Sequence, residues 1–271
     1  MRIAPLPSSS LAPPAISEAA DYLHRARVQG REVERLTLRH PELNLHDAYL
    51  IQDAGIERRA QSGEKVIGLK MGLTSKAKRE QMKLDSPIYG VLTEPMRVRE
   101  TFPLKGSIHP KIEPEIAFVM AKELSGFISQ QQALAAVSGV GAAMEILDSR
   151  FIGFKYFSLP DVVADNSSSS HFVMSDRLIP PSELSVDALA TLAMDMQVNG
   201  ISAQKAVASE ISGNPLQSIV QLCEILQQRG RVLPAGSIVL AGAATQAVEL
   251  ETGMHVRLVV ERLGEVSVLA A

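Results

Sequence analysis

The chain has 271 residues, of which 21% are charged, and its formal net charge is −3. This length suits one large domain or one domain with a small appendage, and the charge gives no reason to expect nucleic acid or an anionic membrane surface as a partner. The apolar runs are no longer than strands, which argues against a membrane-spanning helix, and the single cysteine, Cys223, excludes an intramolecular disulfide and favours a reducing cytoplasm.

The first part of the chain predicts a small helical region. Residues 16–29 and 44–61 have the pattern of two helices, and Asn44 is a favourable N-cap with Asp47 three residues later. Gly63 follows the second helix at the position where helices commonly end. We therefore assign residues 1–62 to an N-terminal tail and small helical region, and residues 63–271 to a β-rich domain.

From Lys65 onward the chain is rich in short strand-forming runs. Strands are predicted at 66–73, 112–120, 142–147, 194–198, 237–240 and 255–261. Asn199-Gly200 predicts a hairpin, and helices are predicted over 129–137 and from Asn214-Pro215 to just before Gly230. Irregularly spaced strands with few helices favour an α+β fold built on a mixed β-sandwich or roll, and disfavour a Rossmann or barrel fold.

Three glutamates are out of place in these strands. In a strand over 112–120, alternate side chains share a face, so Glu113 and Glu115 lie on the side that continues with Ala117, while the opposite side is apolar. Glu145 lies in the apolar run 142–147 with no other charge, where a desolvated, unpaired carboxylate would cost several kcal/mol. A hard divalent cation such as Mg²⁺ or Mn²⁺ would cancel the repulsion among the three carboxylates.

A plainer interpretation stays open on spacing alone. Glu113 and Glu115 would face solvent at the edge of a sheet, and Glu145 would pair with a nearby base such as Arg150. Two glutamates separated by one residue are a weak motif, and the histidines are too scattered to form a competing metal site.

Three further segments contain candidate binding residues. Lys70 lies between Gly68 and Gly72, which leave space beside its ammonium group for a ligand, although a lysine reaching to solvent fits equally well. Residues 161–171 predict a turn at Asp165-Asn166, with serines that either contact a ligand or line a solvated loop. Residues 241–245 predict a turn of small residues that ends at Thr245. The backbone N–H groups of this turn could hold a carboxylate, although an ordinary loop fits the segment better.

Several segments together resemble the fumarylacetoacetate hydrolase superfamily, and within it the branch of hydratases and decarboxylases that act on products of aromatic ring cleavage. The segments that carry the resemblance are 68–75 (GLKMGLTS), 109–118 (HPKIEPEIAF), 144–150 (MEILDSR), 163–169 (VADNSSS) and 234–242 (PAGSIVLAG). They occur in the family's order, and the resemblance extends from about Leu45 to the C-terminus. It implies a β-sandwich or roll of the fumarylacetoacetate hydrolase C-terminal type, with Mg²⁺ or Mn²⁺ on Glu113, Glu115 and Glu145.

Within this branch, 86–90 (SPIYG) and 148–157 (DSRFIGFKYF) resemble the decarboxylases. The related hydratases usually carry an acidic residue where this chain has Ile88. The resemblance therefore implies decarboxylation of a six-carbon 2-oxo-3-enedioate to 2-hydroxypenta-2,4-dienoate, with the metal as Lewis acid and no organic cofactor. The alternatives are a 2-oxopent-4-enoate hydratase and, from another class, a non-catalytic metal-binding subunit of a hydratase complex.

The resemblance also implies roles for individual residues and partners. Lys70 is expected to transfer a proton or hold the substrate's oxygens, and Asp85 is a second catalytic candidate in the pocket wall. The expected substrate contacts are Gly72, Leu73, Arg150, Lys155, Ser167 and Thr245. The chain is expected to form a homo-oligomer in the cytoplasm, and the family allows a complex with the hydratase of the same pathway.

Overall fold

The computed structural model describes residues 5–74, 87–154 and 158–271. The first helix, Pro13–Gln29, is followed by a left-handed Gly30 whose N–H donates to the carbonyls of Ala26 and Arg27. Asn44 is the N-cap of the helix Leu45–Gln61, where it forms a capping box with Asp47. The α-helices of the described ranges are α1 (Pro13–Gln29), α2 (Leu36–Arg39), α3 (Leu45–Gln61), α4 (Gln130–Ala135), α5 (Leu159–Ala164), α6 (Val186–Ala190) and α7 (Pro215–Gln228).

The strands of the described residues form two sheets. They are β1 (Val66–Gly72), β2 (Ile88–Thr93), β3 (Thr101–Phe102), β4 (Lys111–Met120), β5 (Val137–Leu147), β6 (Ser169–Met174), β7 (Ala193–Val198), β8 (Ile201–Val207), β9 (Ile238–Leu240), β10 (Val248–Glu249), β11 (His255–Val260) and β12 (Gly264–Ala270). The first sheet has the order β2-β1-β9-β4-β5-β6, with β10 on β4, and the second has the order β3-β12-β11-β7-β8. β1 and β9 are parallel, as are β3 and β12, so both sheets are mixed.

The two sheets and the N-terminal helices share one main core. β11 and β12 pack against β5, so that Val256 and Leu258 join Ile116 and Ile146 in the same apolar cluster, which also includes Ile16 of α1. The opposite face of the first sheet carries a second, smaller cluster around Leu92, Phe172 and Leu240. This second face is the one that holds the glutamates.

The predicted α+β architecture is confirmed, and each predicted strand is present, but the sequence did not predict β2, β3, β6, β10 and β12 or the short helices α2, α5 and α6. Among the predicted elements, the differences lie at the ends. β5 begins at Val137, five residues before the predicted strand, and α4 ends at Ala135 because the chain enters β5. The Asn199-Gly200 hairpin joins β7 and β8 as predicted, and Asn214 caps α7 through the N–H of Leu216. The boundary between residues 62 and 63 stays a prediction.

None of the helices in the described ranges is both long and apolar enough to cross a membrane.

Candidate metal and active site

The antiparallel pairing of β4 and β5 brings the three glutamates together. Glu113 is the direct cross-strand partner of Glu145, and Glu115 lies two positions further along the same face of β4. One carboxylate oxygen of each residue lies within 4.8 Å of the others. Glu115 and Glu145 are fully buried and Glu113 is half-buried, so the interpretation in which these residues face solvent at a sheet edge is wrong.

The alternation of β4 explains why charged groups are held here. Ile112, Ile116 and Phe118 point into the main core and are fully buried, which fixes the opposite face of the strand for Glu113 and Glu115. Further along that face, Ala117 joins the smaller apolar cluster. The carboxylates therefore lie at one end of an apolar sheet face, where little water reaches them.

The two oxygens of Glu145 have different partners. Oε2 is 3.1 Å from the Nζ atom of Lys70, and Oε1 accepts a hydrogen bond of 2.7 Å from the hydroxyl of Ser169. Glu145 does not pair with Arg150, as the plainer interpretation expected. The guanidinium of Arg150 instead binds the buried carboxylate of Asp165 and its backbone carbonyl.

One carboxylate oxygen of Glu115 has no hydrogen-bond partner among the described residues. Its Oε2 accepts a 2.7 Å hydrogen bond from the N–H of Gly242, while Oε1 is buried and accepts no hydrogen bond from any described residue. Burial, followed by repulsion from Glu145 and Glu113, raises the pKa of Glu115 well above its usual value, against the opposing effect of Gly242 and Lys70. Three converging oxygen donors, mutual repulsion and an unpaired buried oxygen fit a hard divalent cation such as Mg²⁺ or Mn²⁺.

Lys70 reaches Glu145 through space that glycines leave open. Lys70 is 2% exposed and pairs across the sheet with Gly90. A Cβ atom on Gly90 would lie 3.0 Å from Cε of Lys70, and one on Gly72 would lie 3.8 Å from its Nζ. The lysine therefore does not reach to solvent, and its ammonium group lies inside the site.

The turn over 241–245 binds a carboxylate through its backbone, although that carboxylate belongs to Glu115. Gly242 has a φ of +106°, and a Cβ atom there would lie 2.4 Å from the side chain of Thr74. Leu73, with a φ of 56°, and Thr74 directly follow β1 and bring this turn close to Lys70. Glycine is required here because only it can adopt this conformation so close to Thr74.

The remaining predicted residues are distributed as follows. Gly72 and Leu73 lie at the end of β1 beside the site. The hydroxyl of Ser167 donates to the carbonyl of Tyr89, and the hydroxyl of the half-buried Thr245 donates to the carbonyl of Gln246.

The alternative in which residues 161–171 form a solvated loop is wrong, because Asp165 and Ser167 are each 3% exposed. Asp85 and Lys155 lie outside the described residues.

Two contacts in the site were not assigned from the sequence. Ser169 donates to Glu145, yet it is one of four consecutive serines and nothing in their order distinguishes it. Gly242 donates to Glu115. Its signal was the glycine within the small-residue turn after β9, but the carboxylate that it binds depends on the β4–β9 pairing, which only the fold reveals.

Known proteins are similar to this chain along most of its length. A 4-oxalocrotonate decarboxylase of a Pseudomonas species is 41% identical over 93% of this chain and 96% of its own length. The 2-hydroxyhexa-2,4-dienoate hydratase of Comamonas testosteroni is 34% identical over 93% of this chain and 96% of that protein. Among solved structures, the 4-oxalocrotonate decarboxylase from Pseudomonas putida G7, complexed with magnesium and adipate, superposes with a TM-score of 0.93 at 33% identity, covering 97% of this chain and 100% of that one.

The family model described as fumarylacetoacetate (FAA) hydrolase C-terminal matches residues 81–268, which include all three glutamates and the Gly242 turn. With this match and relatives above 30% identity along nearly the whole chain, the protein belongs to the fumarylacetoacetate hydrolase family.

Proposed function

We propose that this chain is a divalent-metal-dependent decarboxylase that converts 2-oxohex-3-enedioate (4-oxalocrotonate) into 2-hydroxypenta-2,4-dienoate and CO₂, in the meta-cleavage degradation of aromatic compounds. The observation that carries the proposal is the buried cluster of Glu113, Glu115 and Glu145 beside Lys70, in a chain that shares 41% identity with a 4-oxalocrotonate decarboxylase. Adipate, found with magnesium in the related solved structure, is a dicarboxylate with the same number of carbons as this substrate.

The three glutamates would hold Mg²⁺ or Mn²⁺, with the unpaired Oε1 of Glu115 as one ligand. The cation would supply Lewis acidity toward the C1 carboxylate and the 2-oxo oxygen of the substrate. No organic cofactor is required, because the conjugated 2-oxo group of the substrate accepts the electrons that the departing CO₂ leaves behind.

The reaction breaks the bond between C5 and C6. The electron pair of that bond forms a new C4=C5 double bond, the C3=C4 pair moves to C2=C3, and the 2-oxo oxygen gains the negative charge and then one proton. Lys70 lies inside the site with its Nζ atom 3.1 Å from Glu145, and we propose that it holds or delivers that proton. Because Lys70, Glu115 and Glu145 are buried, their charges act on the substrate with little screening by water.

We propose the remaining candidates as contacts of the substrate. Gly72 and Leu73 border the site at the end of β1. Gly72 has no side chain and Leu73 has a left-handed backbone, and together they leave room for a ligand. Ser167, Thr245, Arg150 and Lys155 are candidate partners of its carboxylates, and Asp85 is a candidate catalytic residue of the pocket wall. Among these, Arg150 would act while paired with Asp165, which restricts it to orienting the pocket.

Ile88 favours decarboxylation over hydration. Its side chain is buried. A Cβ atom added to Gly72 would lie 3.2 Å from the Ile88 side chain and 3.8 Å from the Nζ atom of Lys70, so Ile88 lies close to the lysine. A hydratase has to activate water, and a carboxylate at this place would do so, whereas an isoleucine excludes water from it. The 34% identity to a hydratase nevertheless makes hydration of 2-hydroxypenta-2,4-dienoate the second candidate function.

One assay separates these functions. The purified chain, without any partner, is incubated with 4-oxalocrotonate and Mg²⁺ or Mn²⁺, and in parallel with 2-hydroxypenta-2,4-dienoate. CO₂ release from the first substrate that stops in EDTA supports the proposal. Water addition to the second substrate without CO₂ release would identify a hydratase, and activity that appears only after a hydratase is added would identify a supporting subunit.

We further propose that the chain forms a homo-oligomer in the cytoplasm and associates with the pathway hydratase. The existence of homologous hydratases and decarboxylases of similar length supports such an assembly, since related surfaces are available on both. Size-exclusion chromatography with light scattering, on the chain alone and mixed with the hydratase, tests both assemblies.

A further inference from the structure

The outer edge of β2 is closed by side chains. β2 ends the order of the first sheet, and no described strand pairs with its outer side. There the N–H of Val91 donates to Oδ1 of Asn166 at 2.8 Å, and Nδ2 of Asn166 donates back to the carbonyl of Val91 at 2.9 Å. The amide of Asn166 thus makes both hydrogen bonds that a neighbouring strand residue would exchange with Val91.

The backbone at Asn166 is unusual. Asn166, Ser167 and Ser168 have φ values of 50°, 54° and 56°, three successive left-handed residues that are not glycine. This conformation is unfavourable for residues with a Cβ atom, and asparagine tolerates it better than serine. Such a segment persists only where its surroundings hold it, and here Asn166 and the bond from the hydroxyl of Ser167 to the carbonyl of Tyr89 fix it to β2.

The same segment determines where Ser169 lies. The N–H of Ser168 donates to the carbonyl of Asp165, and its carbonyl accepts from the N–H of Asp148, so the chain leaves the turn in one direction. Ser169 follows at once as the first residue of β6 and donates to Oε1 of Glu145. Gly90 allows this arrangement, because a Cβ atom there would lie 2.7 Å from the carbonyl oxygen of Asn166.

We propose that Asn166 is a positioning residue for the metal site. Its amide holds the left-handed turn against β2, the turn places Ser169, and Ser169 keeps Oε1 of Glu145 in one orientation while Lys70 holds Oε2. The role rests on the proposed function, in which Glu145 is a metal ligand. It extends that function to a residue outside the carboxylate cluster.

The test measures Mn²⁺ binding to the metal-free protein by calorimetry. Asn166→Gly keeps the left-handed backbone and removes the amide, and we expect its Kd for Mn²⁺ to rise about tenfold, as is typical when the support of a metal ligand is lost. Asn199→Gly is the matched control, because Asn199 has a φ of 50° and its Oδ1 accepts from the N–H of His255 at 2.9 Å, in the other sheet. This control is expected to lose thermal stability and to keep its Kd within twofold of the wild type.

A double variant shows whether Asn166 acts through Ser169. Ser169→Ala should also weaken Mn²⁺ binding, and adding Asn166→Gly to it should change the Kd little further, because one pathway is already broken. Fully additive effects, or an unchanged Kd in Asn166→Gly, would overturn the proposal.

If Asn166→Gly does not fold, Asn166→Asp is measured in the same way, because it keeps the shape of the side chain and one of its two hydrogen bonds.

Two outcomes distinguish a failure of this proposal from a failure of the proposed function. If the wild type itself binds no Mn²⁺, the metal site of the proposed function fails, whereas a wild type that binds Mn²⁺ no better than Asn166→Gly contradicts only the role of Asn166.

Discussion

Glu113 and Glu145 face each other as direct partners across β4 and β5, two carboxylates in register where a sheet ordinarily places compatible side chains. Like charges opposite each other destabilise a sheet pair, and burial of Glu145 strengthens the repulsion. Lys70 neutralises one charge of the cluster, so the metal-free site retains excess negative charge. The pair therefore costs stability in the metal-free protein and returns it when a cation binds.

Glu113→Gln should separate these two effects. We expect the metal-free variant to be more stable than the metal-free wild type by up to about 1 kcal/mol, because a like charge is removed. The wild type should gain about 3 kcal/mol at Mn²⁺ concentrations 100-fold above Kd, whereas the variant should gain much less. Urea unfolding with and without Mn²⁺ measures both. Glu123→Gln, at an exposed position, should behave like the wild type, and a variant that loses stability without metal would contradict the repulsion.

Lys70→Met should separate catalysis from metal binding. Removing the ammonium group takes away a proton carrier, so kcat/KM for 4-oxalocrotonate should fall by roughly 10²–10⁴-fold. Mn²⁺ affinity should not fall, because the cluster becomes more negative when the cation beside Glu145 is removed. Steady-state kinetics and calorimetry measure the two quantities, with the exposed Lys205→Met as control. Loss of Mn²⁺ binding in Lys70→Met would show that the lysine mainly supports the site's structure.

The metal cluster was accessible from the sequence because it breaks a pattern. β4 alternates so clearly that the face of Glu113 and Glu115 follows from the apolar residues between them, and Glu145 is conspicuous in an apolar run. β2 was not predicted as a strand, since its sequence IYGVLT shows no alternation of apolar and polar residues and is interrupted by Gly90.

The partners of the cluster were not accessible in the same way. Lys70 meets Glu145 although β9 and β4 separate β1 from β5 in the sheet, so this contact depends on long-range pairing that local sequence does not specify. Ser169 differs from its neighbouring serines only in the path of the backbone after three left-handed residues. Local patterns specify which residues share a face, whereas the sheet order decides which faces meet.

Gly242→Ala should damage both stability and metal binding. The φ of +106° is unfavourable for alanine, and its Cβ atom would lie 2.4 Å from Thr74, so we expect a loss of more than about 2 kcal/mol in the free energy of unfolding. The shift of the N–H away from Glu115 should also weaken Mn²⁺ binding.

Gly236→Ala is the matched control for Gly242→Ala. Gly236 has a φ of +81° and no atom within 4 Å of the added Cβ, so its variant should lose about 1 kcal/mol from the backbone alone and keep its Kd for Mn²⁺. Urea unfolding and calorimetry compare the two variants. Equal losses of stability with unchanged Mn²⁺ affinity in both would show that contact with Thr74 and Glu115 is unimportant.

His171 should make the fold sensitive to acid. Burial, followed by the positive charges of Arg59, Arg27 and Arg150, lowers its pKa to about 4 in the folded chain. In the unfolded chain the imidazole has a pKa near 6.5, so the unfolded chain binds more protons than the folded chain between about pH 6.5 and 4. The stability due to the neutral ring is therefore lost as the pH falls from about 6.5 to 4.

Between pH 7 and pH 5 the free energy of unfolding of the wild type should fall by about 2 kcal/mol more than that of His171→Gln. Burial of Asp165, whose pKa is raised to about 6, acts in the opposite direction in both proteins and cancels in the comparison. Urea unfolding at the two pH values measures the difference, and parallel curves for the two proteins would show that His171 is protonated as easily in the folded chain as in the unfolded one.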